Sequence, residues 1–147
     1  AEFPSSGANG ASLNNHSSYA VTETIPVAGD ISRLATVSVD ARIIDLFLGW
    51  TSFGGGEIDI GFYRIPKDGG EFVDISTFDA GRDITTGSTY IPIRDLLHGF
   101  ESVNARVWEL AGLTERPEYE QLNIVATIGG VPLSTGTFSL KVTSTIV

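Results

Sequence analysis

The residues able to do chemistry in this chain are few and scattered. Its two histidines, His16 and His98, have no second histidine nearby, and there is no cysteine. A zinc site draws three or four such ligands, so each histidine reads as a solvated or turn residue. Serine and threonine are plentiful, yet no Gly-x-Ser-x-Gly elbow occurs to present a nucleophile. The clusters Gly54-Gly55-Gly56 and Gly69-Gly70 lack the lysine of a phosphate loop and fall between strand patterns, so they read as turns.

Carboxylates are the remaining candidates. Glu57 and Asp59 lie two apart on one strand pattern and therefore share a face. Acid–base chemistry on a glycan needs two carboxyl groups about 5 to 9 Å apart across a cleft. Here they alternate with the apolar Ile58 and Ile60, which places them on the solvent side. Asp68, Asp74, Asp79 and Asp83 fall within sixteen residues and could gather a structural calcium ion from loops, although their spacing is not that of an EF-hand. No catalytic residue, metal ligand or cofactor site is assigned, and the chain is expected not to be an enzyme.

The elements that would position these groups are strands. Two-residue alternation marks Val21 to Val27; Ala35, Val37 and Val39; Ile44, Leu46, Leu48 and Trp50, with Asp45 opposite; and Ile58, Ile60 and Phe62. It continues in Phe72, Val73 and Ile75 after Asp68-Gly69-Gly70, and in Ser88 to Ile93, where Pro92 argues for a sheet edge. Leu122, Ile124, Ala126 and Ile128 alternate next, then Phe138, Leu140, Val142 and Ile146, and the glycines between them suggest a hairpin. Two short helices are expected. One spans Arg94 to His98 before Gly99; the other spans Asn104 to Ala111, capped by Asn104 and stopped at Gly112, with Trp108 plugging the end of the core. About eight short strands and one or two short helices indicate an all-β fold, an antiparallel β-sandwich or jelly roll.

Residues 1–18 show neither period and are rich in Ala, Ser, Gly and Asn. They read as an extended N-terminal arm, flexible or ordered on a partner, ahead of a single domain at 19–147. Phe3 and Leu13 are its apolar anchors, and Asn14, Asn15 and His16 complete the candidate partner-binding segment.

Composition narrows the partners. Of 147 residues, 41% are apolar and 18% charged, which suits a packed domain with surface to bury. A net charge of −9 opposes phosphate backbones, so no nucleic acid is expected. No apolar run approaches the roughly 20 residues that span a bilayer, so no membrane association is expected.

Three segments in order carry a family resemblance. The first is Asp30-Ile31-Ser32-Arg33-Leu34, followed by the apolar strand Ile43 to Trp50. The second runs Asp59-Ile60-Gly61-Phe62-Tyr63-Arg64, Asp68-Gly69-Gly70, Val73-Asp74 and Phe78-Asp79-Ala80-Gly81. The third is Val107-Trp108-Glu109-Leu110-Ala111-Gly112-Leu113, then Tyr119 and two closing strands. From Asp30 to Val147 the chain resembles the head decoration, or cement, proteins of tailed bacteriophages. The resemblance implies a structural protein on the outer capsid surface of the virion, a homotrimer at threefold positions that bridges major capsid protein subunits. It brings no catalytic residues, and it does not extend to the arm. The rival reading is a carbohydrate-binding or receptor-binding sandwich of a phage tail or head fibre, with Tyr63, Tyr90, Tyr119 and Trp50 as a sugar platform; Trp50 fits the buried alternation better.

Overall fold

A computed structural model describes residues 12–92 and 105–146, with the backbone alone at residues 12 and 90–92. Eight strands fill most of it: β1 (Ser12–Val21), β2 (Ile31–Ser38), β3 (Arg42–Trp50), β4 (Glu57–Arg64), β5 (Phe72–Asp83), β6 (Ser88–Pro92), β7 (Gln121–Gly129) and β8 (Thr137–Ile146). One helical turn, α1 (Val107–Leu110), precedes β7. β-Branched and aromatic side chains dominate the inner strands, where they pack well on a pleated surface.

The strands form two four-stranded antiparallel sheets, ordered β1-β8-β3-β6 and β2-β7-β4-β5. The pairs β1·β8, β2·β7, β3·β6 and β4·β5 are those of one long hairpin wound onto itself, and β3·β8 and β4·β7 complete the sheets. This is the strand order of a jelly roll, and the all-β sandwich read from alternation is the observed fold. Between the sheets lie Leu46, Leu48, Phe138 and Leu140 from one side and Ile58, Ile60, Phe62, Leu122 and Ile124 from the other, all fully buried. Phe53 stacks on Phe138 at 4.9 Å between ring centroids, and Phe62 meets Phe78 edge-on at 5.1 Å.

Several local expectations need correction. β7 and β8 are not a hairpin, because β7 lies in one sheet, between β2 and β4, and β8 in the other, between β1 and β3. Only Val21 of the expected Val21–Val27 strand is in a strand, the end of β1. Residues 12–18, read as part of an arm, are the body of β1 and pair with β8 without a register break. A bulge between Ile43 and Asp45 turns Ile43 into the core and leaves Ile44 43% exposed, reversing the expected phase at that point. β5 is far longer than expected and reaches Asp83.

The second helix is one turn, capped by Arg106 instead of Asn104, and its first amides bond the carbonyls of Ala41 (2.8 Å) and Val39 (3.1 Å). Val107 is fully buried and Trp108 packs partly buried against the core, as the plug requires. Pro92 does sit on an edge strand, opposite Phe47. The expected helix at residues 94–98, His98 and Asn104 lie outside the described residues.

Candidate functional site

The winding brings four connections to one end of the sandwich: residues 22–30, 51–56, 84–87 and 130–136. They are knitted by backbone bonds. Leu133 and Ser134 both donate to the Phe53 carbonyl, at 2.9 and 3.0 Å. Thr22 donates to Gly136 at 2.9 Å, and Gly136 donates back to the Thr22 hydroxyl at 2.8 Å. Gly29 donates to Ile128, and Ile128 to Asp30, each at 2.8 Å. The Asp30 carboxylate accepts the Val27 N–H at 2.9 Å and closes that turn.

On this ordered platform stand large apolar side chains facing water. Val131 is 74% exposed and Leu133 66%, and Val21, Ile25 and Val27 are each more than half exposed. Single exposed aliphatics are ordinary, but five gathered at one end, four of them on loops that could have been polar, form a surface suited to burial against a partner. The beginning of β4 and the end of β5 add carboxylates at the rim, and Asp83 is held below the usual carboxylate range by hydrogen bonds from Thr85.

The opposite end is charged and cross-tied. Arg116 donates to both oxygens of Asp40 at 2.8 and 2.9 Å and to Glu120 at 2.9 Å. Arg106 reaches the Asp40 carbonyl at 2.7 Å. The Arg116 hydrogen bonds hold the Asp40 carboxyl below its ordinary pKa.

Of the nominated arm residues, Leu13, Asn14, Asn15 and His16 are all exposed on β1. Asn15 accepts a hydrogen bond from the Thr143 hydroxyl at 2.8 Å. Asn15 and His16, with Phe47, Lys141 and Thr143, border a cleft of about 360 Å³. Phe3 lies outside the described residues.

The four aspartates of the calcium reading are not brought together. Asp79 pairs with Arg82 at 2.5 Å, Asp74 caps the Ser76 N–H at 3.3 Å, and Asp83 caps Thr85 at 2.8 Å. Among the described residues no three acidic or histidine side chains converge. Glu57 is exposed, and Asp59 accepts the Gly81 N–H at 2.8 Å, so both stand off the core as alternation requires.

The sugar platform is not assembled either. Trp50 is buried, donating to the Thr86 carbonyl at 2.8 Å. Tyr63 is buried with its hydroxyl 2.8 Å from that of Thr127. Tyr119 is half-buried beneath the Arg64 guanidinium, 5.5 Å from the ring centroid. The Tyr90 side chain lies outside the described residues.

Sequence reasoning missed the aliphatic end, although Ile25, Val27, Val131 and Leu133 stand among turn-forming Thr, Pro and Gly, which was the available signal. It also missed a polar lock on the outside of the second sheet. There Arg33 donates to Asn123 at 2.6 Å, to the Arg64 carbonyl at 2.9 Å and to the Gly70 carbonyl at 3.1 Å.

No protein-family model matches this chain, and no curated protein matches it. Among solved structures it is similar to a chain of the cyanophage Pam1 capsid asymmetric unit, with a TM-score of 0.55 and 8% sequence identity. The match covers 93% of this chain and 86% of that one, so the likeness is one of whole folds.

Proposed function

We propose that this chain is a non-enzymatic structural subunit of a bacteriophage virion. It decorates the outer capsid surface and stabilises the shell by bridging major capsid protein subunits. The observation that carries the reading is the fold shared, nearly end to end, with a chain of a cyanophage capsid structure. Jelly rolls also serve as lectin domains and cupins, so the fold alone is an analogy. The surfaces favour the capsid reading over those alternatives. Of the aromatics nominated as a sugar platform, Trp50 and Tyr63 are buried, and an ordered apolar end is left exposed, as a surface for a macromolecular partner would be.

Binding to an assembled shell but not to its dissociated subunits stabilises the shell by mass action. A homotrimer spanning several capsomers would gain further from effective concentration. The direct experiment mixes the purified chain with empty mature capsids. Co-sedimentation and a raised capsid melting temperature are expected. Retention on a glycan column without capsid binding would replace this reading with the carbohydrate-binding one.

A further inference from the structure

Three of the four sheet edges carry a device against pairing with another chain, and the fourth carries none. β6 is five residues long and ends in Pro92, which has no N–H to offer. β2 is broken by a bulge between Arg33 and Ala35 and carries the Arg33 charge. β5 has three register breaks against β4 and carries Asp74, Asp79, Arg82 and Asp83. β1, by contrast, runs ten residues in unbroken register with β8. Its sequence, Ser-Leu-Asn-Asn-His-Ser-Ser-Tyr-Ala-Val, has no proline, glycine, aspartate, glutamate, lysine or arginine.

The phase of the open edge follows from one bond. The register sets Val21 opposite Thr137, hence Thr22 opposite Gly136, and the Thr22 N–H bonds that very carbonyl. Even-numbered residues of β1 therefore exchange bonds with β8, and odd-numbered ones turn N–H and C=O outward. Leu13, Asn15, Ser17, Tyr19 and Val21 form that outward row. Among the described residues no backbone group outside the ladder bonds to it.

We infer that this edge pairs with the β1 edge of a second copy, antiparallel, across a twofold axis at Ser17. In that register each outward residue meets another outward residue. Ser17 opposes itself, Leu13 opposes the partner's Val21, and Asn15 opposes the partner's Tyr19. All five residues of the row then find backbone partners, and two exposed aliphatics cover each other. The small Ser17 at the axis admits close approach. Self-pairing is also what the charge pattern permits. Two copies of a −9 chain meet along strands with no formal charge, and Lys141 on β8 lies directly beside Ser17. The contact joins the two sheets into one eight-stranded sheet. It does not rest on the capsid reading, and it leaves a threefold contact elsewhere possible, in which case it links one trimer to the next.

The test uses the absence of cysteine. Ser17→Cys introduces a lone thiol opposite itself, with Cα atoms about 5.5 Å apart, within disulfide reach. Mild oxidation or a short thiol cross-linker should convert it to a covalent pair of two chains. Ser139→Cys, on the inner strand β8, should not pair. Ser17→Pro removes an N–H that faces outward and so spares the β8 ladder. It should keep the native circular dichroism spectrum while weakening association at least tenfold in sedimentation equilibrium. Failure of the Ser17→Cys chains to cross-link at concentrations where the wild type is associated would overturn the inference. So would a wild type that stays monomeric. Cross-linking of the Ser17→Cys thiol to a different protein, by a chain that is monomeric alone, would assign the edge to a foreign strand and overturn it equally.

Discussion

The backbone of Asp74 crosses Gly61 so closely that a Cβ on Gly61 would lie 2.0 Å from the Asp74 carbonyl oxygen. The same Cβ would sit 2.5 Å from the Ile75 carbonyl carbon. Between Asp74 and Asp79, β5 advances five residues while β4 advances two, from Phe62 back to Ile60. The surplus chain folds over the outer face of β4, and only a glycine leaves room for it. Because the obstruction is backbone on both sides, neither can swing away as a side chain would.

Gly61→Ala is therefore expected to destabilise the fold by about 3 kcal/mol or more, at the upper end of overpacking costs. The urea midpoint measures this. A change below about 0.5 kcal/mol would mean that the β5 excursion does not rest on Gly61.

The Arg33 lock makes a second prediction. Asn123 is buried; it accepts from Arg33 and donates to the Thr36 hydroxyl at 2.8 Å, so removing Arg33 takes the donor from a buried amide oxygen, and removing Asn123 takes one of three acceptors from Arg33. Arg33→Ala and Asn123→Ala should each cost about 1–3 kcal/mol. The double variant should cost less than the sum by about 1 kcal/mol, as directly bonded pairs do. Strict additivity in a double-mutant cycle would show that the two are energetically separate. Arg33→Lys should behave more like Ala than like Arg, since an ammonium cannot reach three acceptors in one plane.

These two features mark where the sequence stops being legible. Alternation such as Ile58-Asp59-Ile60 reports which side chains face inward, and the inner strands were readable for that reason. It does not report which sheet a strand joins, so the β7–β8 pair looked like a hairpin although it spans both layers. β1 lacked a pattern because it is an edge strand that turns only Ser18 and Ala20, both half-buried, toward the core, too few and too small to show a repeat. The aliphatic end suffered the reverse error: two-residue alternation from Val21 to Val27 read Ile25 and Val27 as strand, where tertiary winding makes a loop. Gly61 could be seen as a glycine in a strand, but the chain that passes over it is contributed from more than a dozen residues away.

The charged end should respond to acid. The Asp40 carboxyl has its pKa lowered in the folded state, chiefly by the hydrogen bonds from Arg116. A depressed carboxylate contributes stability that is fully present above its unfolded pKa of about 3.9 and is lost as pH falls through the lower folded value. Asp40→Asn should therefore be less stable than the wild type at pH 7. The gap should narrow steadily below about pH 4. Thermal melts of both proteins from pH 7 to 2 test this, and a gap that widens in acid would refute the sign. The effect should also shrink in high salt, because about a third of each side chain of the pair is open to solvent.

The final prediction separates stability from attachment at the aliphatic end. Val131 and Leu133 are exposed, so the double change Val131→Ser, Leu133→Ser should shift folding stability by no more than about 0.5 kcal/mol. The backbone bond from Leu133 to the Phe53 carbonyl does not depend on the side chain. Burial of the two in an interface would contribute about 2 kcal/mol, so the double variant should bind empty capsids roughly thirtyfold more weakly. Capsid co-sedimentation across a concentration series reads this directly, with circular dichroism confirming the fold. A parallel change on the outer sheet face, Thr143→Ala, removes a hydroxyl bonded to Asn15 and should leave capsid affinity within about twofold. Equal capsid affinity for the loop variant and the wild type would remove this end from the attachment surface and shift attention to the β1 face.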